Sequence, residues 1–245
     1  MKRAGSVAVI VGLFFMWVVS QALAGSYGVL DHVKMKELVD AKGQDFTLID
    51  ARNPEEYKET HIFGAINIPL KKFDSLVSML PLDKSRMLVF YCNGVKCGKS
   101  KKSATRAMEI GYTNVYVFAE GMPVWEELGY PFYKGDNYEK PIETTKIKPS
   151  ELQALMEAHP DTIQLVDVRD PEEFMEGHIP GAINCPLKDF ALQSEILDKK
   201  KKVIVYCNSG GRSYKAYRKL MKLGYSDIGQ TLFADWKEAG MKLAL

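Results

Sequence analysis

The chain contains a copy of part of itself. Residues 50–70 read DARNPEEYKETHIFGAINIPL and residues 167–187 read DVRDPEEFMEGHIPGAINCPL, and at this offset of 117 positions 14 of the 21 residues are identical. The likeness continues more loosely into VFYC ending at Cys92 and VIVYC ending at Cys207, into GYTNVYVF from Gly111 and GYSDIGQTLF from Gly224, and to Trp125 and Trp236. A repeat of this span means two units of one fold, each burying a core of its own, and 245 residues are enough for both. The units run over 29–133 and 146–245. Between them, 134–145 (KGDNYEKPIETT) is polar and carries Pro141, as suits a surface linker.

Each unit shows the same order of elements. A short helix (34–41; 149–158) precedes an apolar strand (46–50; 163–167). Asn53-Pro54-Glu55-Glu56 and Asp170-Pro171-Glu172-Glu173 then supply an N-cap, a proline at the first helical position and an acidic first turn. A second short strand (65–68; 182–185) leads to a helix and to the strand that ends at Cys92 or Cys207. A loop, a helix, a last strand and a short helix bearing the Trp complete the unit. Apolar strands alternating with helices predict an α/β fold, a parallel sheet in each unit flanked by helices on both faces. Ligands of such sheets bind beyond the carboxyl ends of the strands, where both cysteines fall.

The stretch 203–213, VIVYCNSGGRS, carries the strongest chemical signal. Cys207 ends a β-favouring run and faces the start of a helical pattern in which Ala216, Leu220 and Leu223 recur on one face until Gly224. The first turn of a helix has unpartnered N–H groups, and with the helix dipole they favour an anion such as a thiolate. Gly210 and Gly211 let the backbone curl around the sulfur, and Arg212 adds a fixed positive charge. Each feature lowers the thiol pKa and makes Cys207 a nucleophile. A lone cysteine after a strand is commonly just a small buried hydrophobe. A core position has no use for the glycines and the arginine, so the reactive reading is preferred.

D-x-R with G-H-I-P-G-A-I-N (Asp167, Arg169 and 177–184), the Y-C-x-x-G-x-R-S loop at 206–213 and the tandem arrangement with a late Trp together resemble the rhodanese family of sulfurtransferases. The resemblance implies two tandem rhodanese-like domains. It implies that Cys207 takes sulfane sulfur from a small-molecule donor such as thiosulfate and passes it, as a persulfide, to cyanide or a thiol, a protein thiol among them. Cys207, Asn208, Ser209, Gly210, Gly211 and Arg212 would form the loop whose amides cradle the outer sulfur, with Ser213 following and Arg212 meeting the donor's anionic end. No metal or organic cofactor is implied. Asn208 stands where many thiosulfate-using relatives carry a basic residue, which leaves mercaptopyruvate and polysulfide open as donors. Asp50 with Arg52, Asp167 with Arg169, and the single His61 and His178 read as scaffold, the histidines having no second ligand at metal spacing.

The first unit departs from this pattern. Its loop reads Cys92-Asn93-Gly94-Val95-Lys96-Cys97-Gly98-Lys99-Ser100, two residues longer, with Lys99 where the second unit has Arg212 and an extra thiol inside. Two readings stand side by side: Cys92 as a second sulfur-accepting site with Cys97 as its resolving thiol, or an oxidised Cys92–Cys97 pair in a structural unit. Longer loops in relatives of this fold also make room for phosphate or arsenate, so oxyanion chemistry at Cys92 is an alternative function. A non-enzymatic sulfur carrier is another. Cys185, among apolar neighbours before Pro186, reads as a core thiol.

The N-terminus bounds the setting. Lys2 and Arg3, an apolar run over 7–19 and Ala22-Leu23-Ala24 have the grammar of a signal peptide cleaved after Ala24 (residues 1–24), which implies a periplasmic or secreted protein. An uncleaved N-terminal membrane anchor is the alternative, although the run is short for a span. Export would place the four cysteines in an oxidising compartment. Without Lys2 and Arg3 the 33 basic residues fall to 31 against 31 acidic ones, leaving no long-range field to gather nucleic acid or anionic lipid. No nucleic-acid partner, and no membrane contact after cleavage, is expected.

Overall fold

The computed structural model describes residues 26–41, 45–138 and 140–245. The signal-peptide reading falls on 1–24, outside the described residues.

The first repeat supplies β1 (Gly28–Leu30), α1 (His32–Asp40), β2 (Phe46–Asp50), α2 (Pro54–Glu59), β3 (Thr60–Ile62), β4 (Ile66–Asn67), α3 (Phe73–Leu76), β5 (Met87–Tyr91), α4 (Lys99–Glu109), β6 (Val115–Phe118), α5 (Gly121–Glu127) and β7 (Phe132–Lys134). The second supplies α6 (Pro149–Ala158), β8 (Ile163–Asp167), α7 (Pro171–Met175), β9 (Ile183–Asn184), α8 (Phe190–Gln193), β10 (Lys202–Cys207), α9 (Gly211–Lys222), β11 (Ile228–Leu232) and α10 (Phe233–Glu238). The main sheets have the orders β1-β6-β5-β2-β4 and β11-β10-β8-β9, and every pairing within them is parallel. Strands β3 and β7 make a separate antiparallel ladder.

The sheets are parallel because their central strands are apolar on both faces. In β10, Val203, Val205 and Cys207 join one core with Ala216, Tyr217 and Leu220 of α9. Ile204 and Tyr206 point the other way, into a core with Leu152 of α6 and Phe233 and Trp236 of α10. Strand β5 repeats the pattern, with Leu88 and Phe90 beside Ala104 and Ala107 of α4, and Val89 and Tyr91 beside Trp125 of α5. Burying one such side chain fully is worth about 2 kcal/mol. The alternation also fixes which way Cys207 points: toward the helix that follows it.

Some boundaries differ from the sequence pattern. Helix α1 begins at His32 rather than 34, because the Asp31 carboxylate caps it by accepting from the Lys34 amide at 2.8 Å. The short strands shrink to β4 and β9, and β1 has too short an apolar pattern to register. The end of the linker does more than connect. The Gln230 amide donates to the Thr145 carbonyl and the Ile147 amide to the Gln230 carbonyl, each at 2.8 Å, so 145–147 lies along β11 as β1 lies along β6. Among the described residues, no helix is long and apolar enough to cross a membrane.

The two repeats meet along α5 and α9. Glu127 of α5 accepts from the Ala191 amide at the start of α8, at 2.9 Å, and from Lys219 of α9. Glu126 accepts from Lys222 at 2.9 Å, and Arg218 reaches the carbonyls of Tyr138 and Lys140 in the linker.

Candidate active site

Cys207 closes β10 and is 2% exposed. Its sulfur receives the Gly210 amide at 3.2 Å and the Ser213 amide at 3.3 Å, with the Ser213 hydroxyl at 3.4 Å. The turn that aims these donors needs a left-handed residue, and Gly210 provides it with φ +99°. Helix α9 therefore starts at Gly211, two residues before Ser213. Burial acts to raise the Cys207 pKa. The Ser213 hydroxyl and the amides of Ser213, Gly210 and Ser209 outweigh it and hold the thiol below its ordinary value. A sulfur met by N–H and O–H donors is a site for a thiolate, and an added sulfur atom would carry its charge into the same cradle.

Arg212 sits on the first turn of α9, with its charge already engaged. Its guanidinium donates to Glu173 of α7, through Nη2 at 2.8 Å and also through Nη1, and to Asp170 at 3.3 Å. The hydrogen bond from Arg212 holds Glu173 down to about 2. The family resemblance implies that this guanidinium meets the donor's anionic end, and in the structure it is also shared with two carboxylates. Asn208, in the loop before α9, offers its carbonyl to the Ala234 amide at 3.2 Å.

Gln230 is the site residue the sequence reading missed. Buried in β11, it donates to the Ser213 hydroxyl oxygen at 2.8 Å and to the Gly210 carbonyl at 3.1 Å, and accepts from the Thr144 hydroxyl at 2.8 Å. With Gln230 donating into it, the Ser213 oxygen turns its own proton outward, toward Cys207 or Gly210. A signal was present in the repeat. Gln230 lies opposite Val205 in β11 as Val117 lies opposite Phe90 in β6, so a polar residue replaces an apolar one inside a buried strand.

The first loop has the same frame with different contents. Cys92 and Ser100 match Cys207 and Ser213, the sulfur and hydroxyl lying 3.1 Å apart, and Lys99 pairs with Glu56 at 3.2 Å as Arg212 pairs with Glu173. Where Cys207 receives the Gly210 amide, Cys92 instead faces an acceptor, the carbonyl oxygen of Cys97 at 3.4 Å. Cys92 is fully buried and Cys97 half-buried, and both are free thiols. The Cys97 side chain beside it, and then burial, push the Cys92 thiol far above the ordinary range, against the Ser100 hydroxyl and amide. The Cys92 side chain, against the cost of burial and helped by the Lys99 and Asn93 amides and the Lys99 charge, holds Cys97 below the ordinary thiol range. A carbonyl aimed at Cys92 also repels an oxyanion placed there. The rim of this loop (Asn93, Gly94, Val95) lines a crevice against Ser194, Lys199 and Tyr225 of the second repeat, and Lys96 donates to the Leu197 carbonyl.

The remaining singled-out residues hold the frame. Asp50 and Asp167 are fully buried, each bound to its own arginine with the shortest contact at 2.6 Å. Arg52 and Arg169 reach on to the carbonyls of Thr60 and Gly177, tying the strand end to the next turn. The Nδ1 atoms of His61 and His178 meet the carbonyls of Tyr57 and Phe174 at 2.8 and 3.1 Å, with stacked rings. Cys185 is core, its thiol pushed up to about 12 by burial and then by the Glu127 charge. Beside the Cys207 loop, Ser209, Gly210, Tyr214, Gln230, the linker residue Thr144 and Lys146 just after the linker line a groove of about 770 Å³.

The family model described as "Rhodanese-like domain" matches twice, over residues 32–128 and 148–237. A protein of Allochromatium vinosum named sulfurtransferase is 37% identical over 71 residues, 29% of this chain and 66% of its own length. Thiosulfate sulfurtransferase PspE of Escherichia coli is 40% identical over 65 residues, 26% of this chain and 62% of its own length. Each match thus spans a little under two thirds of the relative. Among solved structures, SseA of Escherichia coli, described as a 3-mercaptopyruvate sulfotransferase, aligns over 84% of this chain and 98% of its own, at 20% identity and a TM-score of 0.39.

Proposed function

The chain belongs to the rhodanese family as a tandem of two rhodanese-like domains, and from that membership we propose that it is a sulfurtransferase working through a persulfide on Cys207. The observation that carries this reading is the pair of amides, with the Ser213 hydroxyl beside them, converging on the Cys207 sulfur. The thiolate attacks the outer sulfur of thiosulfate; the S–S bond of the donor breaks, and its electron pair leaves with sulfite. The persulfide anion that results rests on the amides of Ser209, Gly210 and Ser213. A cyanide or thiolate acceptor then attacks the outer sulfur and returns Cys207 as thiolate. The groove beside Ser209 and Gly210 is the route by which the acceptor approaches.

Thiocyanate formation from thiosulfate and cyanide tests the assignment. The wild type turns over, and Cys207→Ser loses activity at least ~1000-fold, the scale of removing a nucleophile. Intact-mass measurement after thiosulfate alone shows one added sulfur atom on the wild type and none at position 207 in the variant. A Cys207→Ser protein that keeps its activity overturns the reading.

A further inference from the structure

The two repeats present opposite surroundings to their strand-end cysteines. Cys207 meets the amides of Gly210 and Ser213; Cys92 keeps the matching serine, Ser100, but donates to the carbonyl oxygen of Cys97 and is held as a thiol. Cys97, half-buried on the loop, has the features that Cys207 has in the other repeat: amide donors, those of Lys99 and Asn93, and a neighbouring cation, Lys99. Lys199 of the second repeat also lies within range of the Cys97 charge. A buried thiol hydrogen-bonded to the main chain of a more accessible cysteine on the same loop is the arrangement of a resolving and an attacking cysteine.

We propose that Cys97 and Cys92 form a dithiol site of the first repeat in which Cys97 accepts sulfane sulfur from a low-molecular-weight persulfide and Cys92 resolves it, discharging hydrosulfide. This reverses the roles that position along the chain suggests, and it rests on the family's sulfane-sulfur chemistry but not on Cys207. In the first step the Cys97 thiolate attacks the outer sulfur of R–S–SH, and R–SH leaves with the electron pair of the broken bond. In the second, the Cys92 sulfur attacks the inner sulfur of the Cys97 persulfide. A Cys92–Cys97 disulfide forms, and the outer sulfur departs as HS⁻ with the proton balance supplied by the Cys92 thiol. Two thiols are oxidised and one sulfane sulfur is reduced to sulfide. A small dithiol reductant, or a dithiol protein of the same chemistry, resets the pair. Sulfur thus leaves the first repeat as free sulfide, and the second passes it on intact.

The test uses the full chain, reduced and freed of reductant, with glutathione persulfide as the probe in a single turnover. The expected result on the wild type is a burst of one hydrosulfide per chain and a Cys92–Cys97 disulfide in the peptide map. Cys207→Ser keeps that burst. Cys97→Ser loses it, and Cys92→Ser loses it while accumulating one extra sulfur on Cys97, with far-ultraviolet circular dichroism confirming that both variants fold. No disulfide in the Cys207→Ser map, or sulfur loading Cys92 in Cys97→Ser, overturns the proposal. A wild type that forms no thiocyanate yet shows the burst rejects the Cys207 reading and leaves this one standing; thiocyanate formation with no burst does the reverse.

Discussion

Gln230 sets the proton at Cys207 without touching the sulfur. Its amide donates to the Ser213 oxygen, so the hydroxyl cannot easily accept from a Cys207 S–H and is left to donate to a thiolate. In Gln230→Leu the Ser213 oxygen is free to accept from the thiol, and the protonated form gains. The midpoint of Cys207 alkylation by iodoacetamide against pH is expected to rise by about 1 unit, about 1.4 kcal/mol, so labelling at neutral pH slows about tenfold. Gln230→Glu, which puts a charge on the wrong side of the hydroxyl, moves the midpoint in the same direction. An unchanged profile in both variants removes Gln230 from the site. At this scale the sequence was readable for Cys207, whose glycines and arginine lie beside it in the chain. It was not readable for Gln230, which arrives from β11, 23 positions away, because sheet register rather than sequence neighbourhood brings them together.

The short helix α7 and the first turn of α9 are clasped by one side chain. Glu173 closes the capping box of α7 on Asp170 and also carries the Arg212 guanidinium. Capping was legible in the sequence, since Asp-Pro-Glu-Glu has one local meaning. The second duty of Glu173 was not, because it depends on where α9 is laid against α7. In Glu173→Gln the cap survives, since glutamine serves at that position, while Arg212 keeps only its longer contact to Asp170 and is less fully neutralised beside the loop. The pair is about one third exposed on both sides, so the released attraction for an anionic donor is worth about 1 kcal/mol. The thiosulfate KM is expected to fall about fivefold at low ionic strength and the gain to shrink at high salt, with kcat little changed. A KM that stays put or rises shows that Arg212 serves α7 and not the donor.

Across the whole molecule, duplication made the architecture legible and hid how the halves are joined. The block at 50–70 and 167–187 has one structural meaning, a strand end tied by Asp-x-Arg to the following turn, and the structure uses it identically twice. The interface has no such double, because each repeat gives a different surface to it. Its anchor is Glu127, whose side chain is 1% exposed and which receives Lys219 and the Ala191 amide. Burial lifts its carboxyl above the ordinary range, and Lys219 and the amides of Ala191 and Leu192 only partly offset this. The folded chain therefore binds this proton before the unfolded chain does. The contribution of Glu127 to stability grows as pH falls toward the ordinary carboxyl range and is lost as pH rises through the folded value, the reverse of a carboxylate held low by its partner. Glu127→Gln should flatten that part of the stability profile. Glu127→Ala, which strands the Ala191 amide and leaves Lys219 without its carboxylate, should cost about 3 kcal/mol in urea unfolding, and Glu127→Leu with Lys219→Met should recover the part owed to the unpaired charge but not the part owed to the Ala191 amide, since an apolar pair of similar volume replaces buried ions at little cost. If the single and double variants are equally destabilised, the anchor is packing rather than charge. The joint between α5 and α9 would then hold the Cys207 helix by shape alone.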